Sequence, residues 1–95
     1  MTDVTIRIYR RQADGSLADG QEDYELSNFG GFLPAVGDLI VKPGVSQGLD
    51  RYDPHNREIW TVVGRVFNPR DLENYVALVI EERPPHKNEF SVVAA

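Results

Sequence analysis

Apolar and polar positions alternate along VTIRIYRR, residues 4–11. Val4, Ile6 and Ile8 fall on one side of an extended backbone, and Thr5, Arg7 and Tyr9 on the other. Period two marks a half-buried strand, because successive side chains leave a strand on opposite faces. Residues 13–20, ADGSLADG, hold two turn signals, Asp14-Gly15 and Asp19-Gly20. EDYELSNF (22–29) then reads as a weaker returning strand with Tyr24 and Leu26 on one face, broken by Gly30-Gly31.

GFLPAVGDLIVKPG (31–44) carries the sharpest structural signal. Gly37-Asp38 predicts a tight turn, since glycine takes positive φ without steric cost. LIVK follows as a short strand that Pro43-Gly44 ends. REIWTVVGRVF (57–67) predicts a long β-branched and aromatic strand, with Gly64 suited to a bend or bulge. NPRD (68–71) predicts a turn. ENYVALVIEER (73–83) predicts the next strand, with Val76, Leu78 and Ile80 inward, able to pair with its predecessor as a hairpin. Pro84-Pro85 ends it.

Residues 84–95 read as a C-terminal tail or, over 90–93, a last edge strand. No stretch has a convincing helical period, although PRDLENY could supply one turn. The expected fold is all-β: one domain over residues 1–83, a small barrel of five to six antiparallel strands. The strands at 59–67 and 76–82 are apolar on both faces. Their second face must meet another layer, the tail or a partner chain.

LPAVGDLI, then IWTVVGRVF, then YVALVIEE resembles the turn-and-strand grammar of SH3-like small barrels. It is also similar to short uncharacterised proteins of bacterial and phage mobile elements. The resemblance covers residues 31–83 and implies a binding module for peptides, nucleic acids or other domains. The chain shows no aromatic cluster of the kind that peptide-binding SH3 domains display, which argues against proline-rich ligands.

Composition narrows the functional classes. Ninety-five residues make one modest core and leave no room for a deep cleft between domains. There is no cysteine, which rules out disulfides and thiolate metal sites and fits a cytoplasmic setting. No apolar run reaches the length of a signal peptide or of a membrane span, so no membrane association is expected. The formal net charge is −5, which argues against direct nucleic-acid binding through a basic footprint. Charge is unevenly spread. Asp14, Asp19, Glu22, Asp23 and Glu25 stand with no base among them, while eight arginines against two lysines lie mostly in other segments. Arginine forks onto carboxylates better than lysine does, so facing acidic and basic strands are expected.

Candidate chemistry concentrates between residues 44 and 58. GVSQG (44–48) spells Gly-x-Ser-x-Gly, but no helix pattern follows it and the chain is too short for the large sheet of a hydrolase. Asp50, Asp53, His55 and Glu58 could be offered to a metal, yet their spacing matches no calcium loop and zinc wants more nitrogen or sulfur. No cofactor is expected. Glu81 and Glu82 point to opposite strand faces and do not converge.

The segment from Lys42 to Arg57 is long for a connection, and long loops are often functional. It holds Arg51, Tyr52, His55 and Arg57, with Trp60 following as core. Tyr, Trp and Arg dominate interface hot spots. The sequence therefore suggests a non-enzymatic module that contacts another protein through loop 44–58, with Arg51, Tyr52, His55 and Arg57 as anchors. A second reading is an acidic decoy, presenting residues 14–25 to a basic nucleic-acid-binding protein, as small phage inhibitors do. A third is a ligand-binding or hydrolytic barrel that uses His55 with Asp53 or Glu58. Open strand edges leave room for a homodimer beside any of these.

Overall fold

The computed structural model describes residues 4–93. Five strands, β1 (Thr5–Arg11), β2 (Leu17–Glu25), β3 (Leu39–Val41), β4 (Ile59–Asn68) and β5 (Leu72–Arg83), form one curled half-barrel sheet in the order β2-β1-β5-β4-β3. The all-β expectation holds, with one correction: the sheet is mixed. β1 lies antiparallel to β2 but parallel to β5, with Ile6 opposite Val76 and Ile8 opposite Leu78. The cause is topological. Two hairpins, β1–β2 and β4–β5, meet along strands that run the same way, and side-chain periodicity carries no information about strand direction.

The inner face is the core. Ile6 and Ile8 from β1, Trp60 and Val62 from β4, and Val76, Leu78 and Ile80 from β5 are buried together. These are the inward positions that period two selects. Tyr24, Leu26, Phe29, Leu33 and Ile40 flank them, partly buried.

The first turn signal works as expected. Gly15 adopts φ 87°, its N–H donates to the Gln12 carbonyl (2.9 Å), and Asp14 accepts from the Ser16 backbone (3.0 Å). The second does not make a turn. Asp19-Gly20 lies inside β2, which starts earlier than expected, at Leu17. Pairing jumps from Arg7–Asp23 to Tyr9–Asp19, so Gly20 and Gln21 bulge. A Cβ on Gly20 would sit 2.9 Å from the Ile8 carbonyl oxygen, and only glycine permits that approach. Residues Leu26–Phe29 form a 3-10 turn rather than the end of a strand.

The tail answers part of the question of the second face. Lys87–Glu89 is a 3-10 turn and Phe90–Val93 one helical turn, α1, so of the two readings of this segment, tail or edge strand, residues 90–93 do not take the strand. Glu89 accounts for this. Its carboxylate receives both Arg83 Nη atoms (2.8 and 2.9 Å) and the His86 backbone N–H (2.7 Å), folding the chain back after the two prolines. Val93 is buried, in a patch with Val41 and Ile59.

Candidate functional site

The connection from β3 to β4 leaves Lys42 and returns at Glu58, where the Lys42 N–H donates to the Glu58 carbonyl (3.0 Å). Between these points the loop is irregular but tied at nearly every turn. Asp50 accepts from the Tyr52 N–H (2.9 Å), and Asn56 Nδ2 donates to the Asp50 carbonyl (2.9 Å). Asp53 caps the short 3-10 turn Pro54–Asn56 by accepting from the His55 N–H (3.0 Å). That bond, with help from the His55 ring, holds the Asp53 carboxyl below its ordinary range.

Arg57 is the centre of this arrangement. It is 8% exposed; Nη1 donates to the Arg51 carbonyl and Nη2 to the Lys42 carbonyl, each at 3.0 Å. The expected contact anchor is therefore an internal clasp: its fork joins the two limbs of the loop and does not face outward. The other expected anchors are outside. Tyr52 is 68% exposed. Arg51 reaches back to the Pro43 carbonyl (3.3 Å). His55 packs edge-on to Phe90 with ring centroids 5.0 Å apart, and its Nδ1 lies 3.0 Å from Asp53. Leu49, which the sequence reading passed over, is half exposed on the same loop.

Below the loop base lies a charge cluster on the inner face. Glu82 Oε1 takes the Trp60 indole N–H (3.0 Å) and Lys42 Nζ (3.0 Å), with Arg10 Nη2 at 3.6 Å. Burial alone would raise the Glu82 carboxyl, but the donors Trp60, Lys42 and Glu58, with the Arg10 charge, bring it below its ordinary value. Burial and then the Glu82 carboxylate push Glu58 the other way, upward. Of this pair Glu82 is the carboxylate, and Glu58 is the one that holds a proton more readily.

Beside Trp60, at the seam between β2 and β3, opens a cavity of about 390 Å³ walled by Tyr24, Phe29, Ile40 and Pro43. Tyr24 meets Phe29 edge-on (5.9 Å), and its hydroxyl donates to Glu22 (2.6 Å). Aromatic residues thus do gather, although Trp60 is fully buried beneath them. The sequence reading missed this grouping because its members sit on three separate segments and meet only where the half-barrel leaves its seam open.

The acidic segment is largely occupied internally. Arg7 forks onto Asp19 (2.9 Å twice) and also reaches Asp23 (3.0 Å). The Arg7 hydrogen bond, then the Gln21 N–H, lowers the Asp19 carboxyl. Asp14 serves the hairpin turn, Glu22 the Tyr24 hydroxyl, and Glu25 caps the turn Leu26–Phe29 by accepting from the Asn28 backbone N–H.

Ser46 and His55 line one cavity of about 320 Å³. His55 turns Nδ1 to Asp53, and among the described residues no hydrogen bond joins the Ser46 hydroxyl to a base, as nucleophilic catalysis requires. Gly48 (φ 88°) serves a turn in which the Leu49 N–H meets the Ser46 carbonyl (3.1 Å), and no helix follows. Among the described residues, no group of three or more His, Asp or Glu side chains converges as a metal site. No helix among them is long and apolar enough to cross a membrane.

A small all-β half-barrel with a tethered, aromatic-bearing loop is the class these features define. No protein-family model, curated protein or solved structure matches the chain. The likeness to SH3-like barrels and to mobile-element proteins rests on the turn-and-strand pattern alone.

Proposed function

We propose that this protein is a non-enzymatic binding module that contacts another protein through loop 44–58. The observation that carries the reading is the Arg57 clasp. A buried guanidinium fixes both limbs of the loop while Tyr52 and Leu49 stand exposed on it. A loop ordered before binding loses less conformational entropy on association. Tyrosine supplies a large contact area at small entropic cost, and Arg51 adds forked pairing to a partner carboxylate. In this reading Tyr52, Leu49, Arg51 and His55 meet the partner, and Arg57 positions them.

The acidic-decoy reading has less support, since Arg7 already neutralises two of its carboxylates. The binding reading is tested by affinity capture from native extract with wild type and with Tyr52→Ala/Leu49→Ala, at low and high salt. A partner retained at high salt by wild type and lost by the double variant, with both proteins equally folded, supports it. A partner captured equally by both would sink it.

A further inference from the structure

The β4–β5 hairpin runs past the rest of the sheet. β3 pairs with β4 only from Ile59 to Thr61, and the backbone of Gly37 and Asp38 covers Val62. β1 pairs with β5 only from Tyr75 onward. Residues 65–74 are all exposed, including Val66 and Phe67 at 55% each. The radius of gyration is 14.1 Å, against about 12 Å for a compact chain of this length. Among the described residues, nothing bonds to the backbone of 63–68 on the flank away from β5. An open edge with exposed apolar side chains is a template for strand addition. The other two edges are poorer templates: β3 has three residues, and β2 is bulged and lined with carboxylates.

We propose that this edge pairs antiparallel with the same edge of a second copy, about a two-fold axis at Val66. Three features select the occupant and the register. First, faces must match across the new pair, so the axis passes through a residue and not between two. An axis at Arg65 would set like charges directly opposite, which is destabilising. An axis at Val66 sets Val66 on Val66 and Arg65 on Phe67 of the other copy, twice. Arg65 already lies 5.8 Å over its own Phe67, on one face of β4.

Second, the lengths fit. With Val66 at the axis, Asn68 of one copy stands opposite Gly64 of the other, and the strand ends there. The turn 69–71 then begins just short of Gly37 and Asp38, which close the edge. Third, that meeting is complementary. Arg70, 94% exposed in its side chain and, among the described residues, held only by Asp71 at 4.0 Å, arrives beside Asp38, which has one carboxylate oxygen on the Ala35 N–H. The paired strands are short beside a standard interface of roughly 1,200–2,000 Å², so the dimer dissociates on dilution.

The chain has no cysteine, which makes a single introduced thiol a clean reporter. Directly opposed strand positions bring Cα atoms about 4.5–5.5 Å apart, within disulfide reach. Full-length Val66→Cys should cross-link under mild oxidation at least tenfold faster than Leu17→Cys, an exposed control at the start of β2. Sedimentation equilibrium of wild type should show a concentration-dependent dimer, and Val66→Lys should be monomeric, with a melting temperature equal to that of wild type at dilution where both are monomers. A wild type that stays monomeric up to millimolar concentration overturns the proposal. So does a dimer in which the two thiols cross-link equally fast, because it would use another surface.

Discussion

Loop 44–58 and hairpin arm 65–74 reverse the usual association of regular structure with support. The loop has almost no regular structure, yet Arg57, Asn56, Asp50 and Asp53 fix it to itself and to β3. The arm is mostly regular strand, β4 laddered to β5 on one flank only, and its residues 65–74 are all exposed. A two-stranded ribbon alone is marginal in water. The difference teaches that order in this molecule comes from side-chain-to-backbone hydrogen bonds in one place and from ladder bonds in the other. Only the first arrangement depends on a single side chain.

The sharpest way to break the comparison is to remove that side chain. Arg57→Ala leaves the Arg51 and Lys42 carbonyls without their shared donor and opens a gap. We expect a loss of roughly 2–4 kcal/mol in urea unfolding. Limited proteolysis should move to bonds within 43–57, and an arm cut first would contradict the comparison. Arg57→Lys should recover only part of the loss, since an ammonium lacks the rigid planar fork whose two arms reach the two carbonyls.

Next in size is the acid response of the tail that braces the loop through the Phe90–His55 contact. The Arg83 fork, with the His86 N–H, holds the Glu89 carboxyl down to about 2. A depressed carboxyl stabilises the fold above its ordinary value of 4.5. That contribution is lost as pH falls from there toward 2. Glu58 has the opposite sign: its raised carboxyl favours the fold at lower pH, and this is lost as pH rises through its folded value. Thermal melts of wild type should fall between pH 5 and 2, and Glu89→Gln should flatten that decline. An unchanged slope would refute the Glu89 assignment.

A smaller effect is expected in the arm. Phe67→Ser should change stability by less than about 1 kcal/mol, because a half-exposed ring has little burial to lose. The smallest belongs to Tyr52→Ala, within about 0.5 kcal/mol as for other exposed positions. Its consequence should appear in partner capture alone. A large destabilisation by Tyr52→Ala would mean that the ring supports the loop instead of serving a partner.

Much of the sheet was legible in the sequence. β1, β3, β4 and β5 follow from alternation and Gly/Pro punctuation, and Gly64 marks a real irregularity between Val62 and Gly64. Three things were not legible, each for a physical reason. Strand direction leaves no periodic trace, so the parallel β1–β5 pair was hidden. Asp-Gly serves a turn at 14–15 and a bulge at 19–20, and only the approach of Ile8 separates the two. Arg57 looked like a surface anchor because arginine is rarely buried, and the carbonyls that accept it lie 6 and 15 residues away. Of the loop anchors, Arg51, Tyr52 and His55 were legible as exposed groups, while Leu49 and the Tyr24–Phe29 wall were not.

The parallel seam between β1 and β5 also sets the order in which the molecule can be made. Each hairpin closes from residues near one another in the chain, but Ile6 must wait for Val76 and Ile8 for Leu78. Contacts so distant in sequence slow folding, because the intervening chain must be closed before they form. During synthesis the first strand has its core-side neighbour only after nearly the whole domain has left the ribosome. Until then Ile6 and Ile8 stand on an unfinished sheet. The half-barrel is thus closed last along this seam, once its fifth strand has arrived.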